Sequence, residues 1–572
     1  MKIIKYLGMT AALVLFSLTA CQDDFLDVAP TASLSQTELS SQAGLEGTLI
    51  GAYSMLLGRG GFYSDASNWF WGSVLGGDAN KGTNAGDQAQ VNEIQTYAAQ
   101  PNNGSILQKY ERSYEGVARA NSTLKLIAVA KEVGEVPTDV INRIEAEARF
   151  LRGHYYFDLK KNFNDVPYVD ETWDEVTLVS NNKDIFPDIE ADFQFAFDNL
   201  PETQGQVGRA NKWAAGAYLG KVLLFQEKWA EARTVLRDVV ENGTTPSGQA
   251  YGLLDDYGDL WLAASDNSRE TVFASQAAAN TGTINNANPA MVLNFPHGSA
   301  GPARPGGCCG FFQPSLTLAN SFRTEDGLPL LDESYNDEGN ALTTDLGLSS
   351  GDAFTVDDKA VDPRLDHSVG RRGIPFLNWG PHPGFDWIRD QPYGGPYSPK
   401  KFMYTKDGGD NDGSSWTPGY TAINYKVIRF ADVLLMLAEA EIETGDLGAG
   451  LELINRVRER AINSSIFNDT GEPAANYEVE LYDSFANAEE AITALRFERK
   501  LELSGEGHRK YDLVRWGTAS NELNAYLAYE NSFLTSPFSG ATFTSNNDEF
   551  LPIPQNEIDL QGSDVIIQNP GY

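Results

Sequence analysis

The chain has 572 residues and a formal net charge of -36. Such an acidic balance argues against nucleic acid, because phosphate binding needs clustered Lys and Arg, and against adhesion to anionic lipid through a basic face. The composition is that of a folded globular protein with material for a large core, and three cysteines exclude a disulfide framework.

The first element is a secretion signal. Met1 and Lys2, with Lys5, precede an apolar run from Leu7 to Ala20 that is too short to span a bilayer and stop there. It ends in Leu18-Thr19-Ala20-Cys21, the shape of a bacterial lipoprotein site, so Cys21 is the expected lipidated residue and 1–20 the leader. Gln22, Asp23 and Asp24 make the tether polar and acidic.

Helical periodicity dominates the first half of the chain. Leu45, Leu49, Ala52 and Tyr53 share one face, as do Tyr110, Tyr114, Val117, Ala118, Asn121 and Leu124. Further helices are predicted over Val140 to Phe163, stopped by Pro167, and over Phe186 to Leu200, closed by Pro201. Trp213 to Gln226 and Trp229 to Val240 have the spacing of a tetratricopeptide hairpin, with small residues where the helices close. A second such pair runs from Val427 to Glu443 and on through Leu447, Gly450, Ile454 and Val457. Between the pairs lies a long stretch rich in Gly, Pro, Asn, Asp and aromatics, which reads as turns and short strands. The expected fold is therefore mainly α. Helical repeats fall mainly in 40–241 and 424–516, a loop-rich mixed cap mainly in 242–423, and all of 21–572 forms one body.

Several motifs in this order carry a resemblance. They are Cys21-Gln22-Asp23-Asp24-Phe25-Leu26-Asp27, the run Glu147 to Leu159, Phe322-Arg323-Thr324-Glu325-Asp326-Gly327, Asp362-Pro363-Arg364-Leu365, Ile428 to Ala440, Gly507-His508-Arg509-Lys510-Tyr511-Asp512, and the closing Asn569-Pro570-Gly571-Tyr572. Together they resemble the SusD/RagB family of outer-membrane lipoproteins from the Bacteroidetes. The resemblance implies a lipid-anchored protein on the outer face of the cell, partnered by a TonB-dependent SusC-like transporter. It implies capture of oligosaccharide, in some relatives peptide, and no catalysis.

Motif residues in the helices read as scaffold. Asp432, Arg429, Arg499, Glu502, Arg509 and Asp512 are placed for buried ion pairs that lock helices together. The five histidines are scattered and form no zinc spacing. No cofactor is expected. The turn Asp407 to Gly413 brings acids together, but it departs from a calcium loop at two positions, so a solvated turn is the first reading and calcium the alternative.

Sugar rings present apolar faces and hydroxyl rims, which proteins meet with aromatic faces and polar edges. Two segments fit. In the first, Asn68, Trp69, Trp71 and Asp78 read either as a glycan platform or as core, with Asp78 bracing the loop. In the second, Trp379, Phe385, Trp387, Arg389 and Tyr393 fall among Pro and Gly. Trp416 is a weaker candidate, and the stretch from Asn294 to Phe312 a third rim. Within that stretch, Cys308 and Cys309 read as two free thiols or as a vicinal bridge. Arg371, Arg372 and Arg389 make up a local basic patch that works against the acidic whole. A glycoside hydrolase on a helical scaffold is the competing function; it needs two carboxylates facing across one sugar bond, which spacing in sequence does not show.

Overall fold

The structure, a computed structural model, describes residues 36–298 and 301–572. Cys21 and the leader lie outside the described residues. Helices carry the architecture: α1 (Gln42–Tyr53), α2 (Gly104–Val133), α3 (Thr138–Phe163), α4 (Phe186–Asn199), α5 (Lys212–Phe225), α6 (Trp229–Asn242), α7 (Phe430–Glu443), α8 (Leu447–Ile462), α9 (Ala488–Glu502), α10 (Arg509–Arg515) and α11 (Ala519–Phe533). No helix among the described residues is long and apolar enough to cross a membrane.

Neighbours in sequence are neighbours in space. Each helix from α1 to α6 packs on the next, α6 packs on α7, and α7 packs on α8 and α9. The two predicted hairpins close in the same way. A β-carbon at Gly220 would overlap Leu236, and one at Gly450 would overlap Ile442, so glycine is what lets each pair approach. The helix predicted from Val427 begins later, at Phe430. Tyr425–Arg429 is instead a strand, β4, paired antiparallel with β2 (Thr271–Ser275) in the register Tyr425↔Ser275 and Lys426↔Ala274. Both strands are largely buried between helices, which suits their β-branched and aromatic residues.

The chain between α6 and α7 folds as turns, one-turn helices and short strand pairs, as its composition predicts. It shares one core with the helices: the main buried cluster runs from Leu45 to Ile566 and includes Phe295 and Trp387.

The motif acids and bases are ion-paired. Asp432 binds Lys221 at 2.9 Å and Arg499 at 2.9 Å, and Arg499 binds Asp512 at 2.9 Å. Arg429 joins Glu270, Glu502 and Glu506 at 2.5–3.1 Å, and Arg364 joins Asp362, Glu498 and Glu502 at 2.5–2.9 Å. Burial works to raise the Glu502 carboxyl, and Arg460, Arg429 and Arg364 together hold it far below the usual range instead. Arg509 stands apart from this network and pairs with Glu522.

Candidate functional site

The first predicted segment is scaffold. Asn68 takes a left-handed φ of 51° and starts a wide π-helical turn, Trp69–Val74, so the alternation expected of a strand does not apply. Trp69 and Trp71 are 1% and 0% exposed, and their indole N–H groups donate to the carbonyls of Phe62 and Tyr63. Neither ring offers a face to ligand. Asn68 donates to Asp158 at 2.7 Å, while Asp78 accepts the Gly505 N–H at 2.9 Å and braces the loop.

The second segment divides. Trp387 is 0% exposed and donates to the Pro302 carbonyl at 3.1 Å. Tyr393 is buried, with its hydroxyl on Asn92 at 2.9 Å. These two are also core, against the expectation that they meet ligand. Phe385 is exposed, Trp379 half-buried, and Arg389 reaches the surface.

The residues that remain accessible gather around one loop. The strand β1 (Ala79–Gly82) pairs antiparallel with β3 (Phe311–Pro314), and the Thr83 N–H continues the pairing to the Gly310 carbonyl at 2.5 Å. Buried Lys81 donates to the carbonyls of Asn84 and Asp87 at 3.0 and 2.9 Å, pinning the turn that carries Asp87. Burial lowers this ammonium to about 8. Asp87 forms an ion pair with Arg389, which also donates to the Thr83 hydroxyl at 2.8 Å. A β-carbon at Gly310 would lie 3.5 Å from the β-carbons of both Arg389 and His297. His297 is held neutral by burial. Its Nδ1 meets the Gly307 carbonyl at 2.7 Å, so that nitrogen carries the proton and Nε2 is left as an acceptor.

The same loop reaches an aromatic group on its other side. The Gly306 carbonyl accepts from the Thr417 hydroxyl at 2.8 Å, and the Gly306 N–H donates to Tyr404, whose carbonyl accepts the Trp379 indole at 3.0 Å. Next to Thr417, Trp416 is 45% exposed and stands edge-on to Phe62 and Tyr420, with centroids 6.5 and 6.0 Å away. Between the two ends, Cys308 and Cys309 form a vicinal disulfide, which decides against two free thiols.

The sequence reading placed Trp416 second and did not include Phe62, Tyr420, Thr83 and Asp87, which the structure puts beside Trp416 and Arg389. The signal for Trp416 was there: it sits in Gly413-Ser414-Ser415-Trp416-Thr417-Pro418, without an apolar neighbour, whereas Trp69 and Trp71 flank Phe70 and precede Val74 and Leu75. The basic patch does not form either. Arg371 is buried on Asp366 at 2.6 Å, Arg372 donates to the carbonyls of Ser349, Ser350 and Asp352, and Arg389 is paired with Asp87. In the acidic turn, Asp412 accepts the Asn280 N–H at 2.8 Å, and no group of three metal-ligating side chains is assembled among the described residues. A cavity of about 500 Å³ opens elsewhere, beside Tyr114, Val117 and Trp173, with an accessible wall that is mainly apolar and with Glu111, Asn121, Lys125 and Glu557 also in its lining.

A sequence profile described as the SusD family matches residues 269–572. The chain belongs to the SusD family. A second profile, described as starch-binding associating with outer membrane, matches residues 24–224. SusD-like protein P2 of Formosa agariphila is 24% identical over 99% of this chain and 100% of its own length. A SusD-like protein of Bacteroides ovatus is 25% identical over 99% and 96%. Among solved structures, a SusD superfamily protein from Bacteroides vulgatus aligns with a TM-score of 0.67 at 22% identity, covering 93% of this chain and 99% of that one. A laminarin binding SusD-like protein aligns with 0.65 at 24% identity and the same coverage. Surface glycan-binding protein A from Bacteroides fluxus aligns with 0.63 at 22%, again over 93% and 99%. These likenesses establish the SusD fold over 93% of the chain.

Proposed function

We propose that this SusD-family protein is a lipid-anchored capture protein on the outer face of the outer membrane. It binds neutral oligosaccharides through the surface around Trp416 and passes them to a TonB-dependent transporter, without cleaving them. The helix pairs are tetratricopeptide-type repeats in this reading, supported by the equivalent close approaches at Gly220 and Gly450.

One observation carries the binding site. Trp416 holds a large exposed ring, braced by Phe62 and Tyr420, on the loop system that also presents Arg389, Asp87 and His297. Apolar faces beside directed donors and acceptors match a sugar ring and its hydroxyls. Two further points favour neutral glycans. The chain is strongly acidic, and Arg371, Arg372 and Arg389 are all engaged with protein groups. Asp87 is tied up in its ion pair, which argues against its use as a hydrolytic acid or base. The laminarin binding and surface glycan-binding relatives share the fold and lend the reading weight.

Affinity electrophoresis through gels containing β-glucan, α-glucan, mannan or xylan tests it. The wild type is retarded by at least one, Trp416→Ala runs freely in that gel, and no reducing ends are released. A wild type that ignores every glycan but binds peptides would overturn the reading.

A further inference from the structure

A second cavity, of about 250 Å³, lies between the Gly76–Asp78 turn, the 333–336 turn and the helices α9 to α11. It shares no lining residue with the Trp416 surface. Three tyrosines, Tyr335, Tyr526 and Tyr529, form its walls. Tyr526 lies against Gly77, where φ is +83° and a β-carbon would come within 3.2 Å of the ring. Tyr526 is 5% exposed, yet its hydroxyl has no hydrogen-bond partner among the described residues.

The polar groups here are underused. Lys500 donates one N–H to the Tyr335 hydroxyl at 2.9 Å, lies 4.6 Å from that ring's centroid, and forms no ion pair among the described residues, so two N–H groups remain. Asn336 spends its carbonyl on Asn320 and keeps its NH₂ free. Arg509 gives one nitrogen to Glu522. Asp78 uses one oxygen for the Gly505 N–H; burial raises its carboxyl to about 6, an effect that Gly505 and Arg509 partly offset.

These features narrow the ligand. Lys500 and Arg509 are matched by Asp78 and Glu522, with Glu333 at the rim, so an anion gains nothing by entering. The density of unspent donors and acceptors argues against a hydrocarbon. The volume falls below the ~300 Å³ at which sites for drug-sized ligands begin, so it holds one ring and not a chain. We propose that this cavity is a second, single-ring site for a neutral hexopyranose, whose hydroxyls meet Lys500, Asn336 and the Tyr526 hydroxyl. This inference rests on the cavity itself and stands or falls separately from the Trp416 surface.

Saturation-transfer NMR on the mature protein, with the methyl glycosides of glucose, galactose and mannose, tests it. At least one glycoside binds the wild type and Trp416→Ala alike, and Lys500→Met and Tyr526→Phe each weaken it tenfold or more. If Tyr526→Phe fails to fold, as judged by circular dichroism, Lys500→Met decides alone. Binding of none of the three, undiminished binding by Lys500→Met, or loss of binding in Trp416→Ala overturns the proposal.

Discussion

Lys221 on α5 and Asp432 on α7 meet at 2.9 Å although 211 residues separate them in the chain. Asp432 is also the partner of Arg499 on α9, so one carboxylate ties three helices that come from both sides of the long stretch between α6 and α7. Replacing it by alanine leaves buried Lys221 without its carboxylate and Arg499 with Asp512 alone, which costs about 3–5 kcal/mol. Urea denaturation of Asp432→Ala is expected to show a loss of that size. An unchanged midpoint would mean that water or another acid replaces the partner.

Glu530 gives a pH signature of opposite sense to most carboxylates. Burial raises it to about 7, only partly offset by hydrogen bonds from Thr317 and Leu316. The folded value lies above the unfolded one, near 4.5, so the ionised form costs stability. That cost is absent at low pH, grows from about pH 4.5 to 7, and is constant above. Glu530→Gln mimics the protonated state. Its melting temperature relative to wild type is expected to rise across that window, by the equivalent of about 3 kcal/mol at full ionisation. A difference that stays flat from pH 5 to 8 would refute it.

Two tryptophans separate binding from folding. Trp416→Ala is expected to cost about 2 kcal/mol or more of glycan affinity while leaving the melting temperature in place. Trp71→Ala, which empties a fully buried site, is expected to cost about 3–5 kcal/mol of stability. Titration calorimetry on a retarding glycan and scanning calorimetry on both variants check the pair. Loss of affinity in a folded Trp71→Ala with full affinity in Trp416→Ala would reverse the assignment.

The anchor rests on sequence alone, since Cys21 lies outside the described residues. Cys21→Ala is expected to move the protein from salt-washed membranes to the soluble fraction. Retention of the variant on membranes after the transporter interaction is disrupted would argue against lipidation at that cysteine.

The helix stack was legible because each helix buries a stripe that repeats at 3.6 residues, and stops are written in Pro and Gly: Pro167 after α3 and Thr444-Gly445 after α7. The early start given to α7 failed for a tertiary reason. Val427 and Ile428 satisfy helical periodicity, but their backbone is taken by β2, far earlier in the chain, through pairs such as Ile428↔Phe273. The site was less legible because an aromatic residue looks the same in sequence whether it fills a core or faces a ligand. Trp69, Trp71 and Trp387 each found a carbonyl for the indole N–H and vanished inside. Trp416 found none, and only its polar neighbours hinted at that. Asp87 and Arg389 come together across 302 residues of chain, and no local pattern announces such a meeting.

The chain leaves the helix stack after α6 and re-enters it at α7, yet α6 and α7 are packed against each other, and β2 and β4 are hydrogen-bonded beside that joint. The long excursion thus departs and returns through the same doorway. Its outward turns, such as the one that carries Trp416, can vary without moving that joint, whereas Phe295, Trp387 and Arg364 within it are built into the shared core and its ion pairs. Substitutions in those outward turns can therefore accumulate over a hinge line that stays the same.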